Sequence, residues 1–287
     1  MSVSAARSAT SRSTSASLDD AHQRLVSAVE GLVAGEDWRQ MLEVARRFHA
    51  YSPSNVFLIL AQRPDATRVA GYRTWATVGR QVRRGEKGIA ILAPLVSRAR
   101  PVDAREEAEA PELVQVLRGF RVVHVFDVTQ TEGDDLPDVA PSLLAGSAPG
   151  AVWDALAAQV SAAGFAVARG DCGGANGVTD FLTRTVTLRI DISDTQAVKT
   201  LAHELGHVLL HDAPDDRACR GRVEVEAESV AYLVCHHAGI PSDTYSFPYI
   251  ARWSNGDVEV VRASAERAIT CARRIISFLE DHKPVAG

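Results

Sequence analysis

The chain has 287 residues, 46% apolar and 23% charged, the balance of a globular protein with length for one large domain or two ordinary ones. No apolar run approaches the ~20 residues a membrane span needs, and four scattered cysteines (Cys172, Cys219, Cys235, Cys271) without a C-x-x-C pair exclude a disulfide framework. The formal charge of −5 hides a segregation: between 37 and 100 twelve basic residues face four acidic ones, a surplus of eight, so the remainder carries −13. That asymmetry suggests two parts with different partners, the basic one suited to a polyanion.

Residues 1–18 are rich in Ser, Ala and Arg, which predicts a disordered tail. The tail has no apolar h-region and does not read as a secretory signal, so reduced thiols and a cytoplasmic location are expected. Helical spacing predicts a helix over 19–34 and a second over 37–50, with Met41, Val44 and Phe48 on one face. "SPSN" interrupts, "VFLILAQ" continues as a third helix, and 73–80 reads as a short fourth. Two β-branched runs, 88–96 and 120–128, predict strands, with a charged, Pro-bounded loop between them. Residues 133–150 are rich in Gly, Asp, Pro and Ser and predict a linker. The expected organisation is α+β: a small domain over 19–132, then a second over 151–287.

The second part opens with a predicted helix over 151–164, then a hairpin over 177–190 with Val186, Leu188 and Ile190 alternating inward. Ser193 and Gln196 predict a capping box for the next helix, which buries Val198, Leu201, Leu205 and Val208 and stops before Pro214. Further helices are predicted over 223–238 and 259–281, with Cys235 and Cys271 in the core.

The capped helix contains "LAHELGHVLLH", hence His203-Glu204-x-x-His207. Residues four apart share a helix face, about 6 Å apart along the axis. Two imidazoles placed so can reach one tetrahedral zinc at about 2.0–2.1 Å. Glu204 lies to one side, where it can take a proton from a water in the open position. Gly206 suggests that another element approaches closely. A third ligand is expected from "RVEVEAESVAY": Glu224 and Glu228 share a face with Ala227 and Ala231, so one would bind zinc and the other hold a ligand histidine through its free N–H. Glu226 points elsewhere and reads as solvated. His211 is two turns from His203, about 12 Å, and reads as lying behind the ligands, facing substrate or exposed.

The basic part places Tyr72, Arg73 and Trp75 close to Arg80, Arg83, Arg84 and Lys87. Aromatic faces among guanidinium and ammonium groups suit single-stranded nucleic acid, by stacking and phosphate contact. The plainer alternative is that the aromatics are core and the cations only solubilise.

At these residues two resemblances appear. "LAHELGHVLLH" followed by "EVEAESVAY" resembles the ImmA/IrrE type of zinc metallopeptidase, whose pattern is H-E-x-x-H then E-x-x-A-[N/D/E]. The resemblance implies a zincin-like domain with His203, His207 and Glu224 as metal ligands, Glu204 as base and Glu228 behind the ligands, although Asn or Asp is more usual at 228. "YSPSNVFLILAQ", "GYRTWATVGRQVRRGEKGIAILAP" and "FRVVHVFDVTQTEG" resemble the single-stranded-DNA-binding N-terminal domain of ArdC-type antirestriction proteins, and "YSFPYIARWS" (245–254) is also similar to members of that kind.

Together these imply a zinc-dependent endopeptidase coupled to a single-stranded-DNA-binding domain, acting on an unidentified protein. A peptide would lie along an edge strand near 185–190, with Tyr232, Tyr245 or His211 as oxyanion donor. The alternative is a non-proteolytic antirestriction protein that coats single-stranded DNA, with zinc supporting the fold.

Overall fold

The computed structural model describes residues 35–48, 50–99, 114–136, 149–217, 219–240 and 257–281, with Ser254 and a few positions between 19 and 27. Most of the helix expected over 19–34, the charged loop, most of the linker, Tyr245 and nearly all of 245–254 lie outside the described residues. The chain divides into two compact units, Met1–Ala28 with Phe57–Asp134, and Val29–Val56 with Asp135–Gly287. Among the described residues no helix is long and apolar enough to cross a membrane.

The first unit is mixed α/β. It takes helix α2 (Pro53–Gln62) from Phe57 onward; the helix begins at Pro53, where the missing N–H costs nothing. Strand β1 (Val69–Gly71) leads into the short α3 (Tyr72–Thr77) and β2 (Arg80–Val82). The long strands β3 (Ile89–Ala99) and β4 (Val114–Asp127) pair antiparallel, with β1 on the other side of β4. Strand β5 (Thr131–Gly133) pairs antiparallel with β2.

A buried polar knot joins these pieces. The Asp127 carboxylate accepts from Thr129 N–H (2.9 Å), Thr129 Oγ1 (2.6 Å), Thr67 N–H (2.7 Å) and Arg68 N–H (3.1 Å). Gln130 closes a capping box on Asp127 N–H and donates to Glu86 Oε2 and Lys87 O. Burial alone would raise the Asp127 pKa; the donors from Thr129, Thr67 and Arg68 outweigh it and hold it below the ordinary value. "FDVTQTEG" is therefore the brace of the basic turn 83–88, reached through Glu86 and Lys87.

In the second unit, α1 (Gly35–Arg47) buries Met41 and Val44, with Phe48 just beyond its end, and Trp38 donates to Ser229 Oγ at 3.0 Å. Helix α4 (Pro149–Ala162) precedes β6 (Ala166–Gly170), β7 (Gly177–Asp180) and β8 (Thr185–Arg189). Strand β8 is central, parallel to β6 and antiparallel to β7. The expected hairpin is there; β6 was not expected, and it makes 185–189 an interior strand. Among the described residues, the free edge on the hairpin side is β7. Val186 and Leu188 are buried, but the strand ends at Arg189 and Ile190 is exposed.

Helix α5 (Asp194–Leu210) starts at Ser193, whose Oγ accepts from Gln196 N–H. Only half of the capping box forms, because the Gln196 side chain turns to Thr200 Oγ1. The anticipated face of Val198, Leu201, Leu205 and Val208 is buried. Helices α6 (Arg220–His237) and α7 (Val258–Asp281) pack on α5 and on each other. Gly206 is the point of closest approach: a Cβ there would sit 3.2 Å from Ala227 Cα.

Two stability outcomes are expected. Asp127→Ala strands several buried donors and should destabilise the first unit by about 3 kcal/mol or more; a loss of unfolding free energy in a urea titration below about 1 kcal/mol would show the knot to be dispensable. Gly206→Leu should force α5 from α6 and lower stability by about 2 kcal/mol or more, read by the same measurement.

Candidate metal centre

Helix periodicity puts His203 and His207 on one side of α5, one turn apart. Their Nε2 atoms approach to 3.0 Å. Across the Gly206–Ala227 contact, α6 brings Glu224 Oε2 to 3.6 Å from His203 Nε2 and 3.9 Å from His207 Nε2. Among the described residues these three form the one His/Cys/Asp/Glu cluster able to hold an ion, all donors lying within 4.8 Å of one another. A tetrahedral ion with bonds of 2.0–2.1 Å separates its donors by roughly 3.3–3.4 Å, so the set needs only small side-chain adjustments to close on one. Glu224 and Glu228 thus part company: Glu224 joins the donors, while Glu228 Oε2 sits 3.0 Å from His203 Nδ1.

Glu204 stands beside the donors. Thr179 of β7 donates to its Oε2 at 2.7 Å, and burial, the largest influence, raises its pKa above the ordinary value against the opposing pull of His203 and Thr179. Strand β7 approaches so closely that a Cβ on Gly177 would lie 2.8 Å from Glu204 Oε1. Glu204, the donors and Gly177, Val178 and Thr179 of β7 line one cavity of about 1020 Å³.

One reading of the sequence, for Glu226, is corrected here, and the alternatives left open for His211 are narrowed to one. Glu226 is not solvated: it is fully buried, with Oε2 2.9 Å from His211 Nε2. His211 is buried too, its Nδ1 3.1 Å from His207 Nδ1, so it lies behind a ligand and faces no substrate. The i, i+4 spacing of His207 and His211 was the available signal; no pattern marked Glu226 apart from its neighbours. Tyr232 is buried with its hydroxyl on Glu43 and is not among the residues lining the cavity, which removes it as an oxyanion donor.

Of the residues read as a nucleic-acid face, Tyr72 is 59% exposed, and Arg73, Arg84 and Lys87 are exposed. Trp75 is core, its indole N–H donating to Phe126 O at 2.8 Å, so its face is not available for stacking. Arg80 donates to Thr131 Oγ1 (2.8 Å) and to the backbone of Thr131, Gly133 and Asp134. Arg83 is held by Glu86 and Thr129 O. These two arginines fasten the turn as well as charge it.

Burial opposes charge on His203, but contacts with Glu224 and Glu228 and the charge of Glu204 outweigh it and raise the pKa to about 9. His207 is pushed the other way, to about 3, by burial and the neighbouring His203 charge. At pH 7 the metal-free centre therefore carries a proton on His203 that a metal must displace. Zinc loading should release about one proton per ion at pH 7, and progressively less as pH rises through 9. Calorimetry in buffers of different ionisation enthalpy measures this; zinc uptake without proton release at pH 7 would contradict the assignment.

Residues 19–126 match the family model described as the N-terminal domain of the anti-restriction factor ArdC. Over 289 residues the chain is 25% identical to an uncharacterized protein of Bacillus anthracis, covering 85% of this chain and 48% of the relative, so it spans about half the length of that protein. Among solved structures it is similar to the antirestriction protein ArdC of the R388 plasmid in two forms. The metal-free form is 19% identical with a TM-score of 0.48, covering 81% of this chain and 85% of that one. The Mn(II)-bound form is 21% identical with a TM-score of 0.46, covering 86% and 99%. The segment matched by the ArdC N-terminal model, 19–126, contains the basic turn.

Proposed function

We propose that this chain is an ArdC-type antirestriction protein that holds single-stranded DNA through its N-terminal segment and a divalent ion through its second unit. The match of 19–126 to the ArdC N-terminal domain carries the reading. The DNA face is Tyr72 for stacking, with Arg73, Arg84 and Lys87 exposed beside it and the turn braced by the Asp127 knot. Two imidazoles and one carboxylate make zinc the ion that the donor set favours. In this reading the bound strand is shielded from restriction enzymes, and the ion ties α5 to α6.

A second reading, a zincin-like metallo-endopeptidase, is favoured by Glu204. A structural zinc site is normally closed by four protein ligands, whereas the described residues offer three here, with a buried carboxylate of raised pKa against the cavity. An ion there would polarise a carbonyl and acidify a water. Glu204, steadied by Thr179 Oγ1, would take and return the proton, and β7, not 185–190, would offer its free edge to an extended peptide.

Fluorescence anisotropy with a labelled single-stranded oligonucleotide, paired with an assay of DNA protection from a restriction enzyme, tests the first reading. Affinity should fall steeply with salt. Arg84→Ala with Lys87→Ala should weaken binding, reduce the log–log salt slope by roughly 1–1.5, and abolish protection. Glu204→Gln should change neither. Protection lost in Glu204→Gln with DNA binding intact would replace shielding by proteolysis.

A further inference from the structure

We infer that His211 and Glu226 are positioning residues for the metal centre, fixing the His207 imidazole in the tautomer whose Nε2 carries the free lone pair. The inference rests on the reading of His203, His207 and Glu224 as metal ligands. It starts from a cost. Burying a carboxylate takes several kcal/mol unless it is paired, yet His211 and Glu226 are both wholly buried and neither belongs to the donor set.

The hydrogen bonds run in one direction. Arg267 of α7 donates through Nε to Glu226 Oε2 at 3.2 Å, and Arg222 Nε lies 3.9 Å from Oε1. As the carboxylate of that ion pair, Glu226 only accepts. His211 must therefore present Nε2–H to it across 2.9 Å. Taken as a neutral ring with that single N–H, His211 offers Nδ1 as an acceptor to His207 Nδ1 at 3.1 Å. His207 must then donate from Nδ1, which leaves Nε2 bare and directed at His203 Nε2 and Glu224. Glu228 offers the corresponding acceptor to His203 directly, at Nδ1. Each ligand imidazole thus has its own acceptor, one immediate and one relayed through a second imidazole.

The relay reaches a third helix. Arg267 also donates to Leu210 O at the end of α5, so α7 fixes both the carboxylate and the helix end from which His211 projects. A glutamine at 226 would unset the direction: its amide could donate to His211 Nε2, His211 would donate to His207 Nδ1, and the proton would move to His207 Nε2, where a metal must bind.

The test uses the full-length protein with ¹⁵N-labelled histidine rings, read by NMR without metal, together with zinc affinity by chelator competition for wild type and Glu226→Gln. The expected wild-type spectrum has His207 protonated at Nδ1 and bare at Nε2. Glu226→Gln should show mixed His207 tautomers and bind zinc 10–100-fold more weakly, with an unchanged circular dichroism spectrum. A wild-type His207 protonated at Nε2 overturns the inference, as does a folded Glu226→Gln with unchanged zinc affinity. If Glu226→Gln does not fold, the wild-type spectrum decides alone. If wild type takes up no zinc, the metal reading falls while the spectrum still decides the relay.

Discussion

The close approach of α5 and α6 at Gly206 and Ala227 is the constraint on which the centre depends. With two small residues at the crossing, the helices come near enough for short carboxylate side chains on α6 to reach ring nitrogens on α5. Three glutamates then meet three different partners: Glu224 the two Nε2 atoms, Glu228 the Nδ1 of His203, and Glu226 the ring of His211. A side chain added at 206 would widen the crossing and loosen all three contacts together. Glycine in the middle of a helix costs about 1 kcal/mol relative to alanine, and this spacing offsets that cost.

The same packing explains how so many acids and imidazoles are tolerated in one interior. Four glutamates, three histidines and two arginines lie within a few residues of the crossing, and the buried members are distributed among partners of opposite or complementary character. Glu204 has Thr179, and Glu226 has Arg267 and His211. Burial works against charge on both His207 and His203, but contacts with Glu224 and Glu228 and the charge of Glu204 reverse the shift at His203, while the charge on His203 adds to it at His207. A centre arranged so is rigid through its polar contacts, since breaking any one leaves a buried group unpaired.

The legibility of this site in the sequence followed periodicity. His203, Glu204 and His207 could be placed because an i, i+4 pair on a capped amphipathic helix has one geometry. Glu224 and Glu228 could be narrowed to a face but not ordered, since the choice depends on how α6 is rotated against α5. Glu226 was misread because helical spacing tells which face a residue is on, not what covers that face; here α7 covers it, through Arg267. Strand β6, "AVARG", was missed because five small and mixed residues carry no alternation, and its pairing partner β8 lies fifteen residues beyond it across a hairpin. The long strands β3 and β4 were legible from their β-branched runs, although both extend further than those runs.

Charge counting in the basic part misleads in an instructive way. The surplus of eight positive charges suggests a wide polyanion surface, but Arg80 and Arg83 spend donors on the backbone of 129–134, and Trp75 spends its indole on Phe126 O. What is left exposed with its donors uncommitted to that backbone is a smaller group, Tyr72, Arg73, Arg84 and Lys87, on α3 and the turn that follows β2. Such a group gains from rigidity. Long cationic side chains lose rotamer freedom on meeting phosphate, and a turn already held through Glu86, Lys87 O and Asp127 adds no backbone ordering to that loss. Arg80 and Arg83 therefore still serve binding, by fixing the backbone from which the others project.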